Sequence, residues 1–134
     1  RNTKIGFVFQ FHNLLPEFTS LENVCIPGYI GKRKDKDIEA KARELLDLLG
    51  LAHRIEHKPS QLSGGEQQRV AVARALVNSP SIIFADEPSG NLDSQNAEEL
   101  HKLFFELREK LNLTFVIVTH NPDLDTMAHR QLTI

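Results

Sequence analysis

The chain has 134 residues, 16 basic against 18 acidic, a formal charge of −2, and 40% hydrophobic residues. That length suits one compact domain burying about two-thirds of its unfolded surface, and the balanced charge argues against a sequence-independent nucleic-acid binder, which needs clustered positive charge. A lone Cys25 excludes an intrachain disulfide or a multi-cysteine zinc site and fits a reducing compartment. No apolar run approaches the roughly 18 residues that span a bilayer, and no signal peptide opens the chain, so the expectation is a soluble, cytoplasmic domain. The sequence starts at Arg1 rather than methionine, almost directly on a strand-like run, and reads as a piece of a longer protein.

Ile5 to Phe9 is short, apolar and aromatic-rich, the composition of a buried strand. Gln10 to Pro16 reads as a loop with unusually many apolar residues for an exposed connection. From Asp35 to Leu49 a helix is predicted, with Ile38, Ala42, Leu45, Leu46 and Leu49 on one face and Gly50 at its C′ position. Glu66 to Asn78 is helical again, with small or apolar residues on several faces, as in a largely buried helix. Asn78-Ser79-Pro80 ends it. Ser81 to Ala85 is a second strand, closed by Asp86 and Glu87. Ser94 to Leu111 is a longer helix whose stripe is Ala97, Leu100, Leu103, Phe104, Leu107 and Leu111. Thr114 to Val118 is a third strand, a short helix is predicted over Pro122 to Ala128, and Gln131 to Ile134 starts a further strand. Apolar strands alternating with helices indicate an α/β domain with a parallel sheet covered on both faces. Ligands collect beyond the carboxyl ends of such strands, where Gln10, Asp86, Glu87 and His120 stand.

Ser63-Gly64-Gly65 leads into a helix. Two glycines let a phosphate approach the backbone, and free N–H groups at a helix start favour an anion; an N-cap serine with a flexible entry turn accounts for the same residues. Asp86 and Glu87 can divide labour, one holding Mg²⁺ and the next orienting or deprotonating a nucleophile, or they are solvated charges at a strand end. Asp93 can cap the Ser94 helix. His120 can hydrogen-bond a phosphate or a water. His53 and His57, four apart, could share a metal on a helix face, with no third ligand nearby in sequence.

Together these pieces resemble the ATPase subunit of an ABC transporter. Gln10 matches the Q-loop glutamine, Leu62-Ser63-Gly64-Gly65-Glu66 the signature motif, and Ile82 to Glu87 Walker B with its catalytic glutamate. Ser89-Gly90-Asn91-Leu92-Asp93 matches the D-loop and His120 the switch histidine, all in the family's order across nearly the whole chain. Phe9 to Phe18 and Leu21-Glu22-Asn23-Val24 look most like the lipoprotein-releasing branch, whose macrolide-export and cell-division relatives share much of that string. DNA-repair and chromosome-maintenance ATPases of the same type carry long coiled-coil insertions between Q-loop and signature, and the stretch from Gln10 to Leu62 is short. Three features depart from the pattern. Glu66 replaces the commoner glutamine, the chain stops soon after the switch histidine, and no Gly-x-x-x-x-Gly-Lys-[Ser/Thr] or upstream adenine-stacking aromatic occurs. Truncation ahead of Arg1 is the expected reason.

The resemblance implies a partial P-loop NTPase (ABC ATPase) domain, α/β, a parallel sheet with flanking helices and a helical signature subdomain. Residues 1–24 would carry the Q-loop strand and loop, 25–79 the helical subdomain, and 80–134 Walker B, D-loop and switch. It implies an ATP-binding subunit that couples hydrolysis to transport or release of a substrate, lipoprotein in the branch named, peripheral on the cytoplasmic face of the inner or plasma membrane. Its cofactors would be ATP and Mg²⁺. Its partners would be a second ATPase subunit, head to tail, and integral membrane permease subunits. Ser63, Gly64, Gly65 and Glu66 would meet the γ-phosphate held by the opposite subunit, Asp86 would hold Mg²⁺ through water, and Glu87 would polarise the attacking water. His120 would contact the γ-phosphate, Gln10 would sense metal and water, and Asp93 would couple the two sites. The loop from Phe11 to Val24 would line the groove for a membrane subunit's coupling helix, against the plainer reading that Leu14, Leu15 and Phe18 pack on the Asp35–Leu49 helix. Without Walker A the chain alone is expected to be inactive. A non-catalytic module that docks a membrane subunit or a partner ATPase is the alternative. Thr114–Val118 would also keep the open edge that the P-loop strand covers in the family, so self-association is expected.

Overall fold

Three apolar runs form a parallel sheet of order β1-β2-β3: Ile5–Phe9 (β1), Ile82–Asp86 (β2) and Thr114–Val118 (β3). A computed structural model describes residues 5–9, 14–30, 35–86 and 92–118. Ile5 pairs with Ile82 and Phe9 with Asp86, while Ile82 pairs with Thr114 and Asp86 with Val118, so the three strands end level. Between β1 and β2 run α1 (Ser20–Ile30), α2 (Asp35–Leu48) and α3 (Gly64–Leu76), with 3₁₀ turns at Ala52–Arg54 and Pro59–Gln61. Between β2 and β3 runs α4 (Ser94–Leu111).

The expected α2 stripe is buried as read: Ile38, Ala42, Leu45, Leu46 and Leu49 all lie in the core. Gly50 takes the left-handed conformation (φ +78°) that ends the helix. α3 starts at Gly64, two residues earlier than its apolar pattern suggests, because Ser63 caps it, and stops at Leu76, two residues earlier than expected, with Val77 as its C-cap. Its Gln68, Val70, Ala71, Val72, Ala73 and Leu76 are buried, as expected of a helix with small residues on several faces. In α4 the stripe holds at Ala97, Leu100, Phe104 and Leu107, with Leu103 half-buried. Leu111 departs from it, 38% exposed in the last turn, just before Asn112 closes the helix in the left-handed conformation (φ 53°). His101 is buried on the same helix.

Two expectations are corrected. Leu21 to Val24 is helix, not loop: α1 begins at Ser20. A reciprocal cap starts it, the Glu22 N–H donating to Thr19 Oγ1 (3.2 Å) and the Thr19 N–H to Glu22 Oε1 (2.8 Å). The helix even contains Pro27. The Pro27 carbonyl accepts from Asn78 Nδ2 at 3.1 Å, which ties α1 to the end of α3. α1 packs on α2 and α3, and a Cβ at Gly28 would lie 2.9 Å from Ile38, so glycine sets how closely α1 approaches α2. The second correction concerns the sheet. Ile83 and Ala85 are buried, and Phe115 and Ile117, beside them in register, pack on the core, with Phe115 and Phe104 ring centroids 5.1 Å apart. The opposite face of β3 is uncovered among the described residues, Val116 and Val118 being 43% and 44% exposed.

The chain ahead of α1 is organised by one buried amide. Asn23 Oδ1 accepts from the Leu15 N–H at 2.8 Å, and Asn23 Nδ2 donates to the carbonyls of Leu15, Phe18 and Thr19 at 3.0–3.3 Å. Leu14 packs partly on the core while Leu15 and Phe18 face solvent, so the packing reading applies to Leu14 alone. The helix and strand expected over 122–128 and 131–134 lie outside the described residues.

Candidate functional site

β2 carries Asp86 to the carboxyl end of the sheet, level with Phe9 and Val118, and leaves its carboxylate exposed. In sequence Gln10 follows Phe9, Glu87 follows Asp86, and His120 stands two beyond Val118. All three lie outside the described residues. A single exposed carboxylate fits a Mg²⁺ that keeps most of its water. Among the described residues no three His, Cys, Asp or Glu gather as a metal site. His53 and His57 do not share a helix face: His53 sits in a 3₁₀ turn and His57 beyond it, where the His57 carbonyl accepts from the Ser20 N–H and hydroxyl.

At the start of α3, Ser63 is the N-cap with extended backbone. Its Oγ accepts from the Glu66 N–H at 3.1 Å, and Glu66 Oε1 accepts from the Ser63 N–H at 2.9 Å, a capping box. The Gln67 N–H is taken by the Ser63 carbonyl. The Gly64 and Gly65 N–H groups find no acceptor among the described residues, and the Ser63 hydroxyl proton remains to be donated. These donors, at the positive end of a helix dipole, fit the oxygens of a phosphate.

The two glycines have different reasons. A Cβ at Gly65 would sit 2.9 Å from Asn96 Oδ1 and 3.2 Å from Asn96 Cγ, so the Asn96 side-chain amide would have to shift. Gly65 therefore serves the approach of α3 to the first turn of α4. Asp93 caps that turn, its side chain accepting from the Asn96 N–H at 2.8 Å, and an Arg69–Glu99 ion pair at 3.3 Å joins the same two helices. At Gly64 a Cβ would meet only Leu92 Cδ2 at an ordinary 3.6 Å, and its backbone is helical. Nothing in the described chain requires glycine at 64.

The turn before α3 is equally fixed. The Lys58 N–H donates to Gln61 Oε1 at 2.9 Å, and Gln67 Nε2 donates to the Pro59 carbonyl at 2.9 Å. Glu66 Oε2 receives Arg54 Nε at 3.2 Å. The Ser63 N–H holds the Glu66 carboxyl below its ordinary range, with Arg54 adding to that and partial burial opposing it. Sequence reasoning reached Ser63, Gly64, Gly65 and Glu66 and the cap at Asp93, and missed Arg54 and Asn96. The Ser63-x-x-Glu66 spacing signals the capping box; no local pattern signals a partner twelve residues back or on the next helix.

The family model described as "ABC transporter" matches residues 1–90. The chain is 64% identical over all of its 134 residues to a "Lipoprotein-releasing system ATP-binding protein LolD" of Cytophaga hutchinsonii, of which it covers 61%. Among solved structures it resembles the dimeric structure of MJ0796, a bacterial ABC transporter cassette, at TM-score 0.79 and 45% identity, covering 94% of this chain and 56% of that one. It also resembles the dimeric post-hydrolysis state of that cassette bound to ADP and Pi, at TM-score 0.75 and 46% identity, covering 91% of this chain and 54% of that one. The chain spans about three-fifths of the length of the curated relatives it matches. With the signature turn built as a capped helix start, the motifs in order and relatives alike along its full length, the chain belongs to the ABC transporter family.

Proposed function

We propose that this chain supplies the signature, Walker B, D-loop and switch parts of an ATP-hydrolysing subunit that drives release of a lipoprotein-class cargo at a membrane. The observation that carries this is the start of α3. Among the described residues the Gly64 and Gly65 N–H groups find no acceptor, and none of those residues requires glycine at 64. Ser63, Gly64 and Gly65 hold the γ-phosphate of an ATP whose other phosphates lie on a second subunit, and Glu66 caps the turn that aims them. Asp86 holds Mg²⁺ through water, and bound Mg²⁺ neutralises charge on the β- and γ-phosphate oxygens. Glu87 orients the attacking water and takes its proton, His120 contacts the γ-phosphate, and Gln10 senses the metal and the water. Asp93 links the two sites through the helix start that Gly65 packs against. The segments 1–24, 25–79 and 80–134 are the corresponding functional parts, and Leu15 and Phe18 meet the membrane subunit from the cytoplasmic side.

The test is steady-state ATP hydrolysis by the longer protein that carries this chain. Glu87→Gln is expected to lower turnover about 10²–10⁴-fold without loss of nucleotide binding. Turnover near that of the unmutated protein defeats the assignment of Glu87. Calorimetric titration of Mg-ATP into the 134-residue chain is expected to give no binding heat. Stoichiometric binding abolished by Asp86→Ala would place a complete site on this chain alone.

A further inference from the structure

We infer that Arg54 is a positioning residue for the signature turn, neutralising Glu66 so that a carboxylate can cap α3 without repelling the phosphate in front of it; this rests on the ATP reading above. Glu66 lies in the first turn of α3, three residues from the serine that caps it. A carboxylate there stabilises the helix through the dipole and the capping box. It also brings a negative charge to the place where the proposed ligand is an anion. At separations of several ångströms near a protein surface, such a pair repels by an amount that matters to binding.

The structure answers that conflict in two ways. Both Glu66 oxygens are engaged, Oε1 accepting from the Ser63 N–H at 2.9 Å and Oε2 from Arg54 Nε at 3.2 Å. Arg54 is the one basic partner that the described residues give Glu66. It comes from a different local element, the 3₁₀ turn Ala52–Arg54, so its contact also fixes how that turn lies against the start of α3. Loss of the guanidinium would leave the cap formed but charged, and free to swing its outer oxygen toward the ligand. Arg69, on the same helix, is committed to Glu99 and does not substitute.

The test uses the longer protein and two readouts. In ATP hydrolysis, Arg54→Ala is expected to raise KM about fivefold and leave kcat within about twofold, because the charge acts on association of the anion. Arg54→Lys, which keeps the charge, recovers most of that affinity. In the Glu66→Gln background, Arg54→Ala raises KM further by less than about twofold. Carbon-detected NMR titration of the Glu66 carboxyl should show its pKa rising in Arg54→Ala, independently of turnover. Equal KM losses from Arg54→Ala with Glu66 in place and in the Glu66→Gln background would mean that Arg54 merely braces the turn, and would overturn the inference. An unmoved Glu66 pKa would do the same. An unmutated longer protein that hydrolyses no ATP would overturn the reading in the previous subsection, a result that no Arg54 variant could produce.

Discussion

Gly64 and Gly65 look interchangeable in sequence, yet their surroundings separate them. Gly65→Ala forces the Asn96 side-chain amide aside and is expected to cost about 1 kcal/mol, the low end of the overpacking range, because the displaced group is the end of a side chain. Gly64→Ala adds a methyl group at ordinary contact distance from Leu92 on a helical backbone and should leave stability unchanged or raise it by up to about 1 kcal/mol. On the proposed function it would still weaken ATP hydrolysis. Urea denaturation midpoints of the two variants, beside their hydrolysis rates, check both statements. Glu66 makes a pH prediction. Its carboxyl pKa is lowered in the folded protein, so the stabilisation it gives is present above the unfolded value of about 4.3 and is lost as pH falls through the folded one. Melting temperature followed downward from about pH 6 should therefore fall less steeply below about pH 4.3 in Glu66→Gln than in the parent. A parallel pair of curves would remove Glu66 from the acid response. At this scale the sequence revealed the residues that its motifs name. It concealed those that hold them, because Arg54 and Asn96 act through contacts made only once the helices have docked.

Elements were legible where one face alternates cleanly with another. α2 and α4 each have a single apolar stripe, and their burial follows it except in α4 at Leu103, half-buried, and at the exposed last leucine. α1 was not, since Pro27 and Gly28 argue against a helix and its apolar residues show little periodicity. Its start was written in Thr19-x-x-Glu22, the same capping pattern that opens α3, and a reading that weighs caps before periodicity would find it. Phe104 is the side chain on which α4 meets the sheet, fully buried and against Phe115. Phe104→Ala is expected to cost about 3–5 kcal/mol. Differential scanning calorimetry that found a loss under about 1 kcal/mol would mean the cavity collapses or α4 is held elsewhere.

For the whole molecule, the parallel α/β class followed from alternation of strand and helix, and the level ends of β1, β2 and β3 bear out the placing of Asp86 at the carboxyl edge. Coverage of the sheet did not follow from strand–helix alternation, because a β-branched run looks the same whether one face or two are buried; the family resemblance is what implies the open side of Thr114–Val118. Among the described strands β3 pairs only with β2, and its outer face exposes Val116 and Val118. Such an edge pairs readily with another chain, so the 134-residue chain is expected to run as a dimer or larger species in multi-angle light scattering. Val116→Lys should shift it toward monomer. A monomer before any substitution would remove the edge from consideration.

Asn23 has a consequence that reaches beyond the loop it ties. With one amide spanning Leu15, Phe18 and Thr19, Leu15 and Phe18 are displayed on a rigid mount rather than on a tether. The ordering entropy of that loop is spent during folding, so a surface that closes over these two side chains gains their burial without first having to arrest them. Recognition there would resemble a key meeting a cut lock, fast to seat and sensitive to shape. Asn23→Asp, which cannot donate to three carbonyls, would turn the same contact into one that must be assembled at every encounter.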